Sequence, residues 1–268
     1  TSYGGVIAGS ATGATQVVSL GTGSPYTPAG YIYAPEPVLG AGSLVKTGAG
    51  TLTLTGANLY SEATTISAGA VLANNTSGSA TGTSAVQVQA GASLGGSGAI
   101  GGVTTVQADG TLSPGGDANT SGFGLASLHF EGDLHLQADA TLLWQFLNAG
   151  TPGQDYDSMT GTNLILPEMG TVHLEIMGLD GHTLNAGDSF TLFDGDVYHD
   201  TTLLSLGTDI TDLFQIHDNT GWWGTWEVTA GSLVLTAVPE PATWLLLVIL
   251  LTFCGLRPRR LRQANRPH

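Results

Sequence analysis

The sequence predicts an all-β fold, a solenoid of stacked parallel β-coils with a β-rich cap, followed by one C-terminal transmembrane helix. Three observations predict it: a heptapeptide recurs along the chain, short runs alternate apolar and polar residues, and an apolar run lies near the C-terminus. Glycine supplies 40 of the 268 residues and charged residues only 10%, against about 25% in ordinary soluble domains. This composition excludes an ordinary helical enzyme and suits a β-protein.

The repeat has the pattern apolar, any, Ala, small or Asp, small, any, Leu, and its copies span residues 66–72, 88–94, 106–112 and 136–142. Their last leucines are 22, 18 and 30 residues apart. Short strands near a 20-residue period, with small residues at tight turns, favour a solenoid. We expect Leu, Val and Ile rows inside and Thr, Ser and Gln rows outside. An antiparallel sandwich, the alternative, would show turn signals every 8–12 residues or so.

The repeat order fades after residue 142, which suggests four segments. Residues 1–42 form a partial N-terminal β-rich segment, and residues 43–142 form the solenoid. Residues 143–237 have longer alternating strands and more aromatic residues, as expected of a cap that covers the open strand edges. We expect Trp222, Trp223 and Trp226 to pack over that end. Residues 238–268 form a separate C-terminal signal.

One stretch of the repeat region is specific enough to be compared with a known family. Gly48-Ala-Gly-Thr-Leu-Thr-Leu-Thr-Gly-Ala-Asn-Leu-Tyr-Ser61, followed by Thr64-Thr-Ile-Ser-Ala-Gly-Ala-Val-Leu72, resembles the autotransporter-associated β-strand repeat. The resemblance implies a right-handed parallel β-helix, of the kind found on secreted or surface-displayed passengers. It covers about thirty residues clearly.

The C-terminus combines a short motif, an apolar run and a basic tail. The motif is Val238, Pro239, Glu240 and Pro241; the apolar residues are Trp244, Leu245, Leu246, Leu247, Val248, Ile249, Leu250, Leu251 and Phe253; the basic residues include Arg257, Arg259, Arg260 and Arg262. Arginines that follow an apolar run are typical of a membrane-spanning segment whose basic end stays in the cytoplasm. The run is shorter than the ~20 residues that span a bilayer, which suits a temporary anchor; a permanent anchor and a buried helix are the alternatives.

This three-part order resembles the PEP-CTERM sorting signal of bacteria with a double envelope. The resemblance implies processing by an exosortase-type enzyme in the inner membrane, then release to the cell surface or matrix in association with exopolysaccharide. The sequence begins without a basic and apolar leader, so we expect a mature or partial chain.

The charge distribution limits the partners. Up to Leu256 the chain carries one basic residue, Lys46, against 21 Asp and Glu. Such a surface disfavours nucleic acid and anionic lipid. The only cysteine, Cys254, lies in the apolar run, so a disulfide is not expected.

Candidate catalytic groups are few. The acidic pairs Asp155/Asp157, Asp194/Asp196 and Asp209/Asp212 could cleave glycosides or bind calcium, but solvated loop acids explain them better. The histidines show no metal-ligand spacing, and we expect no cofactor. The sequence therefore predicts a non-enzymatic, structural or adhesive surface protein. The alternative is a polysaccharide-active enzyme, similar to glycoside hydrolases, on the same β-helix.

Overall fold

The computed structural model describes residues 16–19, 32–34, 39–40, 43–116, 124–222 and 225–238. Within these ranges the chain is almost entirely β-structure, and the helical element is a 3₁₀ turn at Thr211–Leu213. The all-β prediction is confirmed.

The described strands are short at first and lengthen toward the C-terminus. In chain order they are β1 (Gln16–Ser19), β2 (Ile32–Ala34), β3 (Leu39–Gly40), β4 (Leu44–Thr47), β5 (Thr51–Leu54), β6 (Leu59–Tyr60), β7 (Thr64–Ile66), β8 (Gly69–Ala73), β9 (Val86–Val88), β10 (Ala92–Gly96), β11 (Ala99–Ile100) and β12 (Thr104–Val106). They continue with β13 (Thr111–Pro114), β14 (Ser127–Phe130), β15 (Leu134–Leu136), β16 (Thr141–Phe146), β17 (Ser158–Leu166), β18 (Val172–Gly178), β19 (Ser189–His199), β20 (Thr202–Leu203), β21 (Phe214–Asp218), β22 (Thr225–Thr229) and β23 (Leu233–Val238).

Successive strands alternate between parallel sheets, so that the chain returns to each sheet once per coil. Face 1 contains β1, β4, β7, β9, β12, β15 and the C-terminal halves of β17 and β19, and face 2 contains β2, β5, β8, β10, β13, β16, β18 and β21. A third side pairs β3 with β6, and β11 with β14 and the first half of β17. The parallel strands expected of a solenoid are confirmed. Parallel pairing continues beyond residue 143 into β18 and β21. The boundaries of the four segments and the right-handed winding of the coils stay predictions.

The core consists of rows of apolar side chains, one residue from each coil. A fully buried row of face 2 contains Leu52, Val71, Leu94, Leu112, Leu142 and Leu174. Neighbouring members lie about 4.8 Å apart, the spacing of paired strands. Burying one such side chain contributes roughly 2 kcal/mol, so each added coil stabilises its neighbours. The prediction of apolar rows inside is confirmed.

Several Thr, Ser and Gln side chains depart from the expected outward rows and are buried, among them Thr51, Thr64, Thr81, Thr104, Ser113 and Gln145. Thr65 and Thr105 lie on the outer side of face 1, but Thr64 and Thr104 are fully buried on its inner side. The Thr64 hydroxyl lies 2.5 Å from the Tyr60 hydroxyl. Burial raises the pKa of Tyr60 well above its usual value, and the hydrogen bond with Thr64 offsets a part of that rise. A buried hydroxyl is tolerated where it has a hydrogen-bond partner, and composition does not reveal that partner.

The C-terminal end of the stack changes from parallel to antiparallel pairing. β23 runs antiparallel to the first half of β19, and β22 runs antiparallel to β23. Trp226, which is 6% exposed, packs with Trp144, Phe146 and Phe190 in one aromatic cluster. The expectation for Trp226 is thus met; Trp222 is partly buried against the same core, and Trp223 lies outside the described residues.

Within the described part of the chain, no helix has the length and apolar character needed to cross a membrane. The predicted transmembrane helix, which begins near Trp244, falls outside the described part of the chain.

Candidate functional site

A shallow groove of about 370 Å³ lies on the outer surface of face 1, beside the corner that leads to face 2. It extends from Thr105 to Asp200, and its lining includes Ile165 and Pro167. These residues follow or belong to β12, β15, β17 and β19, which are neighbours in the sheet. The groove therefore crosses four successive coils along the stacking direction.

Carboxylates line the same corner, one in each of these coils. They are Asp109, Asp139, Glu168 and Asp200, and all four side chains are exposed. Backbone hydrogen bonds hold the corners in register: the N–H of Asp139 donates to the Thr171 carbonyl at 2.8 Å, and the N–H of Asp200 donates to the Leu166 carbonyl at 3.0 Å. Glu168 and Asp200 belong to the groove lining itself.

The predicted sorting motif is described only at its first residue. Val238 ends β23, half-buried, and pairs with Thr225. Pro239, Glu240, Pro241, the apolar run and the arginines lie outside the described residues, so this part of the site stays a prediction.

The acidic pairs named above do not converge on a common site. The Asp155 carboxylate accepts hydrogen bonds from the Thr151 N–H at 2.6 Å and the Asn148 side-chain amide at 3.2 Å. The Asp194 carboxylate accepts from the Ser232 hydroxyl at 3.1 Å. The hydroxyl and N–H of Thr211 donate to Asp209 and lower the pKa of its exposed carboxyl. Among the described residues, no group of three or more His, Cys, Asp or Glu is placed to hold a metal ion.

Asp157 differs from the other acids because it is fully buried. One carboxylate oxygen accepts from the Ala126 N–H at 3.0 Å and the other from the Gln145 N–H at 3.1 Å. Burial nevertheless outweighs these two hydrogen bonds and raises the Asp157 pKa to about 8, because a charge in a low-dielectric interior is strongly disfavoured. The side chains of Gln145, Ser113 and Ser158 nearby are also buried and have no protein partner in the described structure. Nothing in the sequence distinguished this acid from a loop acid.

Lys46 is also buried, and its ammonium group is structural. Its Nζ donates to the carbonyl oxygens of Thr47, Gly48 and Ala68 at 3.0, 2.7 and 2.9 Å. These carbonyls belong to the corners of two successive coils. The sequence showed Lys46 as an isolated cation but not that it faces inward.

Two of the described histidines pair with each other, and His135 lies apart from them. His135 lies in the groove, and the rings of His173 and His217 stack on face 2 with centroids 5.6 Å apart. The His173 Nε2 lies 3.6 Å from an Asp139 oxygen. This contact is exposed at the aspartate, so its contribution to stability is small.

Comparisons with known proteins address the repeat region. Residues 44–73 match the family described as the passenger-associated-transport-repeat, which confirms the predicted autotransporter-associated repeat. These residues span β4 to β8, which is about one and a half coils. The chain is also similar to the adhesin BmaC autotransporter of Brucella suis biovar 1 (strain 1330), with 42% identity over 78 residues. That stretch is 29% of this chain and 2% of the relative.

Proposed function

We propose that this protein is an exported, non-enzymatic adhesive or structural protein of the cell surface or extracellular matrix. The observation that carries the proposal is the passenger repeat at residues 44–73, similar to a part of an autotransporter adhesin. The repeat forms part of a stack of parallel coils that continues as far as β21. Such a stack is a rigid support for rows of outward side chains, which suits contact with an extended partner.

The proposal includes the path by which the protein reaches the surface. The right-handed β-helix would be held in the inner membrane by the apolar residues from Trp244 to Phe253, with Arg257 to Arg262 on the cytoplasmic side. An exosortase-type enzyme would then process the chain near Pro239-Glu240-Pro241 and release it from the membrane of a double-envelope bacterium. The prolines support this role because proline disfavours helix at and before its own position, which would leave the motif accessible to the enzyme.

Exopolysaccharide is the proposed surface partner. The outer row of face 1 offers Thr65, Gln87, Thr105 and His135 in register, and these side chains both donate and accept hydrogen bonds. An enzyme on this scaffold is less favoured. Asp157, whose raised pKa would suit a general acid, is fully buried and cannot reach a polymer.

The test is the location and C-terminal mass of the mature chain. Cells that express the full chain are separated into membrane, surface and medium fractions, and the surface form is analysed by mass spectrometry. We expect loss of Arg257–His268 from that form, and retention in the inner membrane when Pro239-Glu240-Pro241 is replaced by alanines. Surface chains that keep Arg257 would contradict processing, and equal delivery of the alanine variant would contradict the role of the motif.

A further inference from the structure

We propose that the groove on face 1 binds a linear polysaccharide that carries free amino groups and lies along the stacking direction of the coils. This inference rests on the proposed function, contact with polysaccharide, and adds the chemical class and the place of binding. The groove is open and crosses four successive coils, which corresponds to a length of about 14 Å at the spacing of paired strands. An open channel of this shape fits a stretch of polymer that enters at one end and leaves at the other.

The charge of the described surface selects the class of polymer. In residues 43–116, 124–222 and 225–238, the only Lys or Arg is Lys46, and its side chain is fully buried. The exposed ionic side chains in these ranges are therefore carboxylates, apart from any protonated histidine. An anionic polymer such as a uronic acid chain would be repelled along its whole length, whereas a cationic polymer would be attracted.

The corner beside the groove concentrates this charge. Asp109 and Asp139 stack in register in successive coils, about 4.8 Å apart along the stack, and Glu168 and Asp200 each add an exposed carboxylate in the next two coils. A polymer with an amino group on each sugar presents cations at a comparable regular interval. Repeated pairing along a line is more favourable than a single exposed ion pair, which is worth about 1 kcal/mol or less.

The groove lining complements a sugar chain in two further ways. Ile165 and Pro167 in the lining offer apolar surface for the C–H faces of pyranose rings, and Thr105 and Gln137 offer hydrogen-bond partners for hydroxyl groups. Glu168 and Asp200, which belong to the same lining, would pair with the amino groups. The combination of apolar and acidic side chains in one groove distinguishes this site from the rest of the acidic surface.

The experiment measures binding of the full chain, in mild detergent, to three immobilised polymers at low and high salt. They are partly deacetylated glucosamine polymer, fully N-acetylated glucosamine polymer and a uronic acid polymer. The groove variant is Glu168→Gln with Asp200→Asn, and the matched control is Glu62→Gln with Asp180→Asn, which removes the same charge at exposed positions outside the groove.

We expect the protein to prefer the deacetylated polymer, and to bind it about five-fold more weakly in the groove variant than in the control. Raising the salt concentration should weaken this binding further. Equal binding of the two variants would overturn the groove as the site. Preference for the acetylated or the uronic polymer would overturn the amino-sugar class but leave polysaccharide contact intact, whereas binding to none of the three would contradict both this inference and the proposed polysaccharide partner.

Discussion

The backbone N–H of Asp109 donates a hydrogen bond to the carbonyl oxygen of Asp139 at 2.9 Å, and both residues have a positive φ, of 60° and 63°. They occupy the fourth position of the recurring heptapeptide, at the same corner of successive coils. Gly69 and Gly91 hold that position in the two preceding copies, with φ of 67° and 72°. The position that accepts a small residue or Asp is thus the left-handed residue of the corner, since Asp and Gly both tolerate this conformation.

The left-handed corner leads to a stability prediction at Asp109. Replacing it by valine should lower the free energy of unfolding by about 1–2 kcal/mol, because a β-branched residue resists positive φ. Asp109→Asn removes the same charge but tolerates this φ, and should change stability by less than about 0.5 kcal/mol. Urea unfolding of the two variants measures the difference. Equal stabilities would show that the corner does not impose the conformation.

The coil pattern was predictable from the repeat, but its register was not. The heptapeptide aligns Leu72 with Leu94, whereas the structure pairs Val71 with Leu94 and leaves Leu72 half-buried on the outer side. The reason is that Ile66 pairs with Val88 on face 1, so the first corner is one residue shorter than the next. A one-residue change exchanges inner and outer side chains, and spacing between similar residues does not detect it.

Two buried ionisable residues escaped prediction for a different reason. Lys46 and Asp157 are stabilised by backbone groups from other coils, Ala68 for the lysine and Ala126 for the aspartate. Those partners lie 22 and 31 residues away in sequence. They are backbone groups of alanines, so the residue type gives no sign of either hydrogen bond. The sequence alone therefore favoured a solvated loop position for Asp157 and predicted no position for Lys46.

Lys46 should be important for stability despite its charge. Lys46→Met keeps an unbranched side chain of similar length but leaves the carbonyls of Thr47, Gly48 and Ala68 without their ammonium donor. Losing these three hydrogen bonds from partly buried carbonyls should cost about 2–3 kcal/mol. The measurement is chemical unfolding, with Thr65→Val on the outer side of face 1 as the control, expected to change stability by less than about 0.5 kcal/mol. A Lys46→Met variant as stable as this control would contradict the structural role.

Close packing between coils predicts unequal effects of two glycine substitutions. A Cβ on Gly96, at φ 116°, would lie 2.1 Å from the Ala73 carbonyl oxygen of the preceding coil, whereas a Cβ on Gly91, at φ 72°, would meet nothing within 4 Å. Gly91→Ala should therefore cost only the conformational penalty, about 1 kcal/mol. Gly96→Ala adds a steric conflict and should cost about 3 kcal/mol. Thermal unfolding of both variants measures the gap, and the reverse order would disprove the stacking of β8 on β10.

The raised pKa of Asp157 predicts a pH dependence of stability. The folded chain holds this proton until about pH 8, whereas an unfolded aspartate loses it near pH 4. Between these values the folded state binds more protons, so the contribution of Asp157 to stability falls as pH rises, by at most about 1.4 kcal/mol per pH unit. It is fully present below the unfolded pKa and lost once pH passes the folded one.

Asp157→Asn isolates this contribution, because asparagine resembles the protonated carboxyl but does not titrate. Unfolding in urea is measured at pH 5, 6, 7 and 8 for the wild type, for Asp157→Asn and for the exposed control Asp180→Asn. The wild type should lose stability relative to Asp157→Asn as pH rises, whereas its difference from Asp180→Asn should stay nearly constant. The Ala126 and Gln145 N–H groups make this a demanding test, since both donate to the carboxyl and favour its ionised form. A constant difference from Asp157→Asn over this range would mean that these two hydrogen bonds outweigh burial and that Asp157 is ionised in the folded protein at neutral pH.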